Sequence, residues 1–127
     1  MSTAVSPEAQ VTAEAVARLP RTFHSRGDLS AYAILEQSGY FDRHVHVTPD
    51  LLAAILASDA SLVDDWLALS ENKRTSSGWY FRQEPTGFTV AFVDEAGNKV
   101  DENSYTDRIE ACAEFIKREV EEMRQLG

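Results

Sequence analysis

Cysteine is almost missing from this chain: Cys112 is the only one in 127 residues. A lone thiol closes no internal disulfide and suits a reducing compartment. Long apolar runs are missing too, and none approaches the roughly 20 residues that a bilayer-spanning helix needs. The start, MSTAVSPEAQVTAEAV, lacks the basic stretch followed by an apolar core that marks a secretory signal. These shortages together give the expectation of a soluble, cytoplasmic protein with no membrane partner. Bases are a third shortage, since 12 Lys and Arg against 21 Asp and Glu leave a net charge of −9. Proteins that hold nucleic acid through its phosphates show a basic patch, so a nucleic-acid partner is not expected. The chain also has no glycine-rich phosphate loop, no serine elbow and no cysteine pair. No enzyme and no cofactor is the corresponding expectation.

What remains is ordinary globular composition, with 43% hydrophobic and 26% charged residues, enough for one domain over residues 1–127 with a core of its own. The charge is unevenly spread. Between Asp28 and Glu71 stand eight carboxylates and a single base, Arg43. The pivot of the chain is the stretch SENKRTSSGWYF, Ser70 to Phe81. It is polar through Ser76, Ser77 and Gly78, then aromatic at Trp79, Tyr80 and Phe81. Helical patterning precedes it and strand patterning follows.

In the helical half, residues 1–20 are Ala-rich with a thin apolar stripe. They read as a loose helix or a disordered tail, opened by Ser6-Pro7 and stopped by Pro20. Residues 21–27 read as a connector. Asp28 suits the N-cap of a helix that Gly39 ends. Arg26-Gly27-Asp28 spells an adhesion tripeptide, but the cap is the better use of Asp28. Tyr40–Val47 is aromatic and β-branched and reads as a strand or an extended connector. Thr48-Pro49 opens a further helix with Leu51, Leu52, Ile55 and Leu56 on one face. The next, from Leu62 to about Asn72, turns Leu62, Val63, Trp66, Leu67 and Leu69 one way. Asp64, Asp65, Ala68 and Glu71 turn the other way.

In the second half, Trp79–Gln83 and Phe88–Val93 read as strands joined by a Pro-Thr-Gly turn, with a short third strand at Lys99–Val100. Ile109, Cys112, Ala113, Ile116, Val120 and Met123 then repeat at spacings of three and four behind Asp107, a natural N-cap. The fold class expected is α+β: a helical N-terminal half, a small antiparallel β-meander, and a long C-terminal amphipathic helix packed on the sheet.

Few residues carry candidate chemistry. On a strand, His44 and His46 would share a side with Asp42, a weak start for a metal site. Cys112 lies among apolar neighbours, the setting of a core thiol rather than a nucleophile. Asp59, Asp64 and Asp65, or Glu110 and Glu114, could pair for acid–base work, but they sit on solvent-facing helix surfaces. Lys73, Arg74 and Arg82 form a small basic island at the pivot, where cations complement a helix C-terminus. Trp66 and Trp79 suit the helix–sheet boundary, and an exposed Trp would mark an interface.

The layout from about residue 28 to 123, with LVDDWLALSENKRTSSGWYF leading into a hairpin and IEACAEFIKREVEEM closing it, resembles small acidic α+β bacterial proteins. Some of these act as immunity proteins beside polymorphic or contact-dependent toxins. The resemblance implies a non-enzymatic protein that neutralises a basic toxin domain through an acidic surface. Asp59, Asp64, Asp65, Glu71 and Trp79 are the expected partner-binding residues. Two other readings stand beside it. One is a small metal- or ligand-binding protein using the His44/His46 side. The other is a structural subunit that oligomerises through the sheet edge or an exposed Trp.

Overall fold

Pro7 and Pro49 each stand in the first turn of a helix, and each follows a hydroxyl that caps it. Ser6 Oγ accepts from the Ala9 amide at 3.2 Å, and Thr48 Oγ1 accepts from the Leu51 amide at 3.2 Å. The computed structural model describes residues 6–72 and 77–126, and in it these caps open α1 (Pro7–Ala17) and α5 (Pro49–Ser58). Between them lie α2 (Leu19–Ser25), α3 (Ala31–Gln37), α4 (Tyr40–Arg43) and a 3₁₀ turn at His44–His46. Then follow α6 (Ser61–Asn72), β1 (Gly78–Glu84), β2 (Gly87–Val93), β3 (Lys99–Tyr105) and α7 (Arg108–Leu126). The class is α+β, with α7 packed on the sheet as expected.

The sheet is an antiparallel meander in the order β1-β2-β3. Phe81 pairs with Val90, and Val90 pairs with Asn103, so these positions share one face. That face meets α7: the Phe81 ring stacks on Phe115 at 5.7 Å, and Trp66 of α6 meets Phe115 edge-on at 5.9 Å. Around this aromatic contact the core gathers Leu52, Leu56, Leu62, Val63, Ile116 and Val120, all fully buried. Helix α6 is fastened to both halves. The Trp66 indole donates to the Ala17 carbonyl at 2.8 Å, and the Phe81 amide donates to the Ser70 hydroxyl at 2.8 Å.

Several expectations fail, each for a physical reason. The N-terminal segment is core rather than tail: Ala9, Thr12, Ala13, Val16 and Ala17 are buried against the other helices. Its stripe is thin because it is built of alanines, which allow close helix approach. α1 ends at Ala17, ahead of Pro20 as expected, but Pro20 also stands in the first turn of α2, where a residue has no intrahelical acceptor to lose. The expected connector at 21–27 is accordingly helical through Ser25. Ser30, not Asp28, caps α3, accepting from the Ala33 amide at 3.1 Å; Asp28 faces Arg26 at 3.4 Å.

Tyr40–Val47 is helical, neither strand nor extended. Gly39 adopts φ +85, which lets the chain reverse after α3 and begin a new turn at once. Burial of Tyr40 then overrides the strand propensity of the segment. Strand β3 runs to Tyr105 rather than stopping at Val100, through residues of low strand propensity that β2 holds in register. Lys73, Arg74 and the Ser76 turn residue lie outside the described residues.

Candidate functional site

Asp59, just ahead of α6, and Asp64 and Asp65 within it have arginine partners. Arg21, from α2, reaches Asp65 at 2.9 Å and Asp59 at 3.7 Å, and donates to Ser61 Oγ at 3.1 Å. Arg18 stands 3.8 Å from Asp59. The Ser61 hydroxyl, donating to Asp59 at 2.5 Å, holds that carboxyl below its usual range, with the Arg21 and Arg18 charges adding to the effect. Asp64 turns the other way and meets Arg108 of α7 at 3.1 Å. Glu71 lies at the far end of α6, beside a cleft of about 370 Å³ that it lines with Leu67, Ser70 and the Tyr80–Gln83 stretch of β1. Trp79 is half-buried on the α7 side, edge-on to Phe92 at 5.3 Å and under the Arg118 guanidinium at 5.1 Å. The five expected partner-binding residues therefore do not form one face. Asp59 and Asp65 share one arginine set, while Asp64, Glu71 and Trp79 are placed separately.

The same-side geometry proposed for His44 and His46 needed a strand. In a 3₁₀ turn, residues two apart do not align. His46 is exposed. His44 leans on Tyr40, with ring centroids 6.2 Å apart, and its Nδ1 lies 3.9 Å from Glu121. Among the described residues, no group of three or more His, Cys, Asp or Glu side chains converges as a metal site would. Cys112 is fully buried, and burial pushes its thiol far above the usual range. Arg82 is exposed on β1.

The sequence reading missed the most elaborate polar cluster in the fold. Lys117, Glu121 and Arg124 line one stripe of α7 and meet Tyr40 of α4. The Tyr40 hydroxyl donates to Glu121. Lys117 donates to the Tyr40 oxygen at 2.9 Å and to the His44 carbonyl at 2.7 Å, and its ammonium lies 5.0 Å from the Tyr40 ring centre. Arg124 grips Glu121 with two hydrogen bonds, at 3.0 and 2.9 Å. The Arg124 bonds, helped by Tyr40 and the Lys117 charge, hold Glu121 down at about 2. Burial, then the Glu121 carboxylate, push Tyr40 well above the usual phenol range. Burial pushes Lys117 downward. Every member is engaged with another, so the cluster acts as a clamp between α4 and α7. Spacings of four and three among Lys117, Glu121 and Arg124 were visible in the sequence. Nothing in it named Tyr40 as the buried partner.

A second run of exposed carboxylates follows β3. Strand β3 ends the sheet order. Along it and at its two ends Glu95, Asp101, Glu102, Asp107 and Glu110 are all exposed. Lys99 pairs with Glu102 at 3.0 Å, and Asp107 caps α7 by accepting from the Ile109 amide at 3.2 Å. Asp94 is used locally, taking the Ala96 and Asn98 amides at 3.0 and 2.9 Å to form the β2–β3 turn. Comparison with models of protein families, with curated proteins and with solved structures finds no match to the chain.

Proposed function

We propose that this chain is a non-enzymatic binding protein that takes a basic protein partner on the β3 side of its sheet, in the manner of an immunity-type inhibitor of a basic toxin domain. The observation that carries this reading is the run of exposed carboxylates along β3 and its flanks. From Asp94 to Glu110 the chain has six acids against Lys99 and Arg108. Asp59, Asp64 and Asp65, by contrast, face arginines of the protein itself. A surface of one sign attracts an oppositely charged partner and speeds its encounter. On this reading the protein works in the cytoplasm, where a lone thiol stays reduced. The charges on this surface take the place of the phosphates that a basic nuclease domain would otherwise bind.

The test pairs the chain with the basic domain encoded in the neighbouring gene of its native genome, by calorimetry at low and high salt. A one-to-one complex that weakens with salt and is lost in Asp101→Lys/Glu102→Lys supports the reading. A complex indifferent to both changes, or no complex with a basic domain, overturns it.

A further inference from the structure

The hydrogen-bond phase of the sheet fixes which backbone groups of β3 face outward. The Phe81 amide leaves the sheet to donate to Ser70. Phe81 and its partner Val90 are therefore a non-hydrogen-bonded pair. Val90 accordingly turns its own amide and carbonyl toward Asn103 of β3. By the alternation of an antiparallel ladder, Asn103 and Asp101 bond inward to β2, while Glu102 and Ser104 turn their N–H and C=O groups to the free edge. No strand lies beyond β3 among the described residues. The edge is seven residues long, and Val100 on it is 62% exposed.

From this geometry we propose that β3 receives an extended basic segment of a partner protein as a fourth, antiparallel strand. The inference rests on the basic-partner reading above and adds the mode of docking. Charge decides the occupant. In a symmetric pairing of two β3 strands centred on Glu102, the Glu102 carboxylates of the two copies would stand directly opposite each other, and like charges there destabilise a pair. A partner strand bearing Lys or Arg reverses the sign of those contacts. Asp101 and Glu102 point to opposite faces of the sheet, so a partner with bases at successive positions meets a carboxylate on each side. Main-chain bonds to Glu102 and Ser104 supply binding that does not depend on partner sequence. The acids and Val100 supply the selection. Acidic edge residues thus discourage self-association and leave the edge open to a basic strand.

The experiment uses the full chain and a capped synthetic peptide of Val residues around a central Lys-Lys pair, with the same peptide carrying Glu-Glu as control. Amide exchange is read residue by residue by NMR. In the free protein the Asp101 and Asn103 amides should be protected, and those of Glu102 and Ser104 should exchange freely. On adding the Lys peptide, Glu102 and Ser104 should slow by at least about tenfold, an effect that weakens as salt shortens the screening length. The Glu peptide should do nothing. Ser104→Pro removes one outward amide without touching the β2 ladder, and should abolish the protection. Lys-peptide binding that leaves Glu102 and Ser104 exchange unchanged overturns strand addition while sparing the basic-partner reading. Failure of the peptide to bind, when a basic protein domain still does, also sinks strand addition alone. Loss of binding by every basic ligand sinks both.

Discussion

The Tyr40 hydroxyl donates to the Glu121 carboxylate across 81 residues of sequence, and this one bond joins the irregular α4 segment to the longest helix. It has a consequence for acid stability. Glu121 titrates near 2 in the folded chain against 4.5 for an unperturbed group, so the native state binds its proton more weakly than the unfolded state. A depressed carboxyl contributes stability that is complete above about pH 4.5 and is lost as pH falls toward about 2. Glu121 is partly exposed, so solvent screening reduces the contribution to about 1–2 kcal/mol. Glu121→Gln should flatten the acid limb of a stability-against-pH curve measured with urea. Tyr40→Phe removes the bond donated to Glu121 and the one accepted from Lys117, and should cost about 1–2 kcal/mol at neutral pH. An unchanged acid limb in Glu121→Gln would show that the cluster is not the acid-sensitive element.

Ser70 gives a sharper single-bond prediction. Ser70 is 2% exposed, and its hydroxyl accepts the buried Phe81 amide. Ser70→Ala should destabilise by about 1–3 kcal/mol, the cost of stranding a buried donor. The Phe81 amide should exchange faster in the variant than in the wild type, well before global unfolding. Equal exchange rates in the two would mean that another acceptor serves Phe81.

The parts of the fold that could be read from the sequence were those in which local signals and tertiary contacts agree. The Thr48-Pro49 cap, the apolar face at Leu51, Leu52, Ile55 and Leu56, the strand pair around Pro85-Thr86-Gly87 and the α7 stripe all stand as read. Misreadings came where burial is achieved by unusual means. Alanines carry α1 into the core without a strong periodic signal, and Tyr40 sets its ring in the apolar core while its hydroxyl ends in a polar cluster. The candidate site suffered from a different blindness. Counting charges along the chain made 28–71 almost purely acidic, but Arg18, Arg21 and Arg108 lie outside that window and fold onto its acids. Ion pairs between distant segments leave no mark on a local count.

The N-terminal helix should prove indispensable. Truncation before Leu19 would remove Val16 and Ala17, both fully buried, together with the carbonyl that receives the Trp66 indole. The expected outcome is loss of cooperative unfolding by circular dichroism. A milder variant separates packing from truncation: Val16→Ala should cost about 1–3 kcal/mol through the cavity it leaves. Its Trp66 fluorescence should stay native, because Ala17 still accepts the indole. A truncated chain that melts like the full one would return residues 7–17 to the status of a tail.

The two sets of carboxylates should separate stability from binding. Replacing Asp59, Asp64 and Asp65 with Ser breaks pairs to Arg21, Arg18 and Arg108. Exposed pairs are individually weak, so the triple variant should lose a small amount of stability. That loss should shrink at high salt, where the wild-type pairs are already screened. It also frees three arginines beside α6, making that surface more basic without altering β3. Asp101→Lys/Glu102→Lys does the reverse. Glu102 pairs only with the exposed Lys99 at 3.0 Å among the described residues, and Asp101 accepts from Asn103 at 3.2 Å. Its melting temperature should therefore stay within a degree or two of wild type, on the scale set by surface substitutions. A basic partner should associate at nearly the wild-type rate with the α6 variant and far more slowly with the β3 variant, because charges at an interface act first on the encounter. Stopped-flow association at two salt concentrations measures both. The opposite ranking, with the α6 variant slowed and the β3 variant unaffected, would move the binding surface back to Asp59, Asp64 and Asp65.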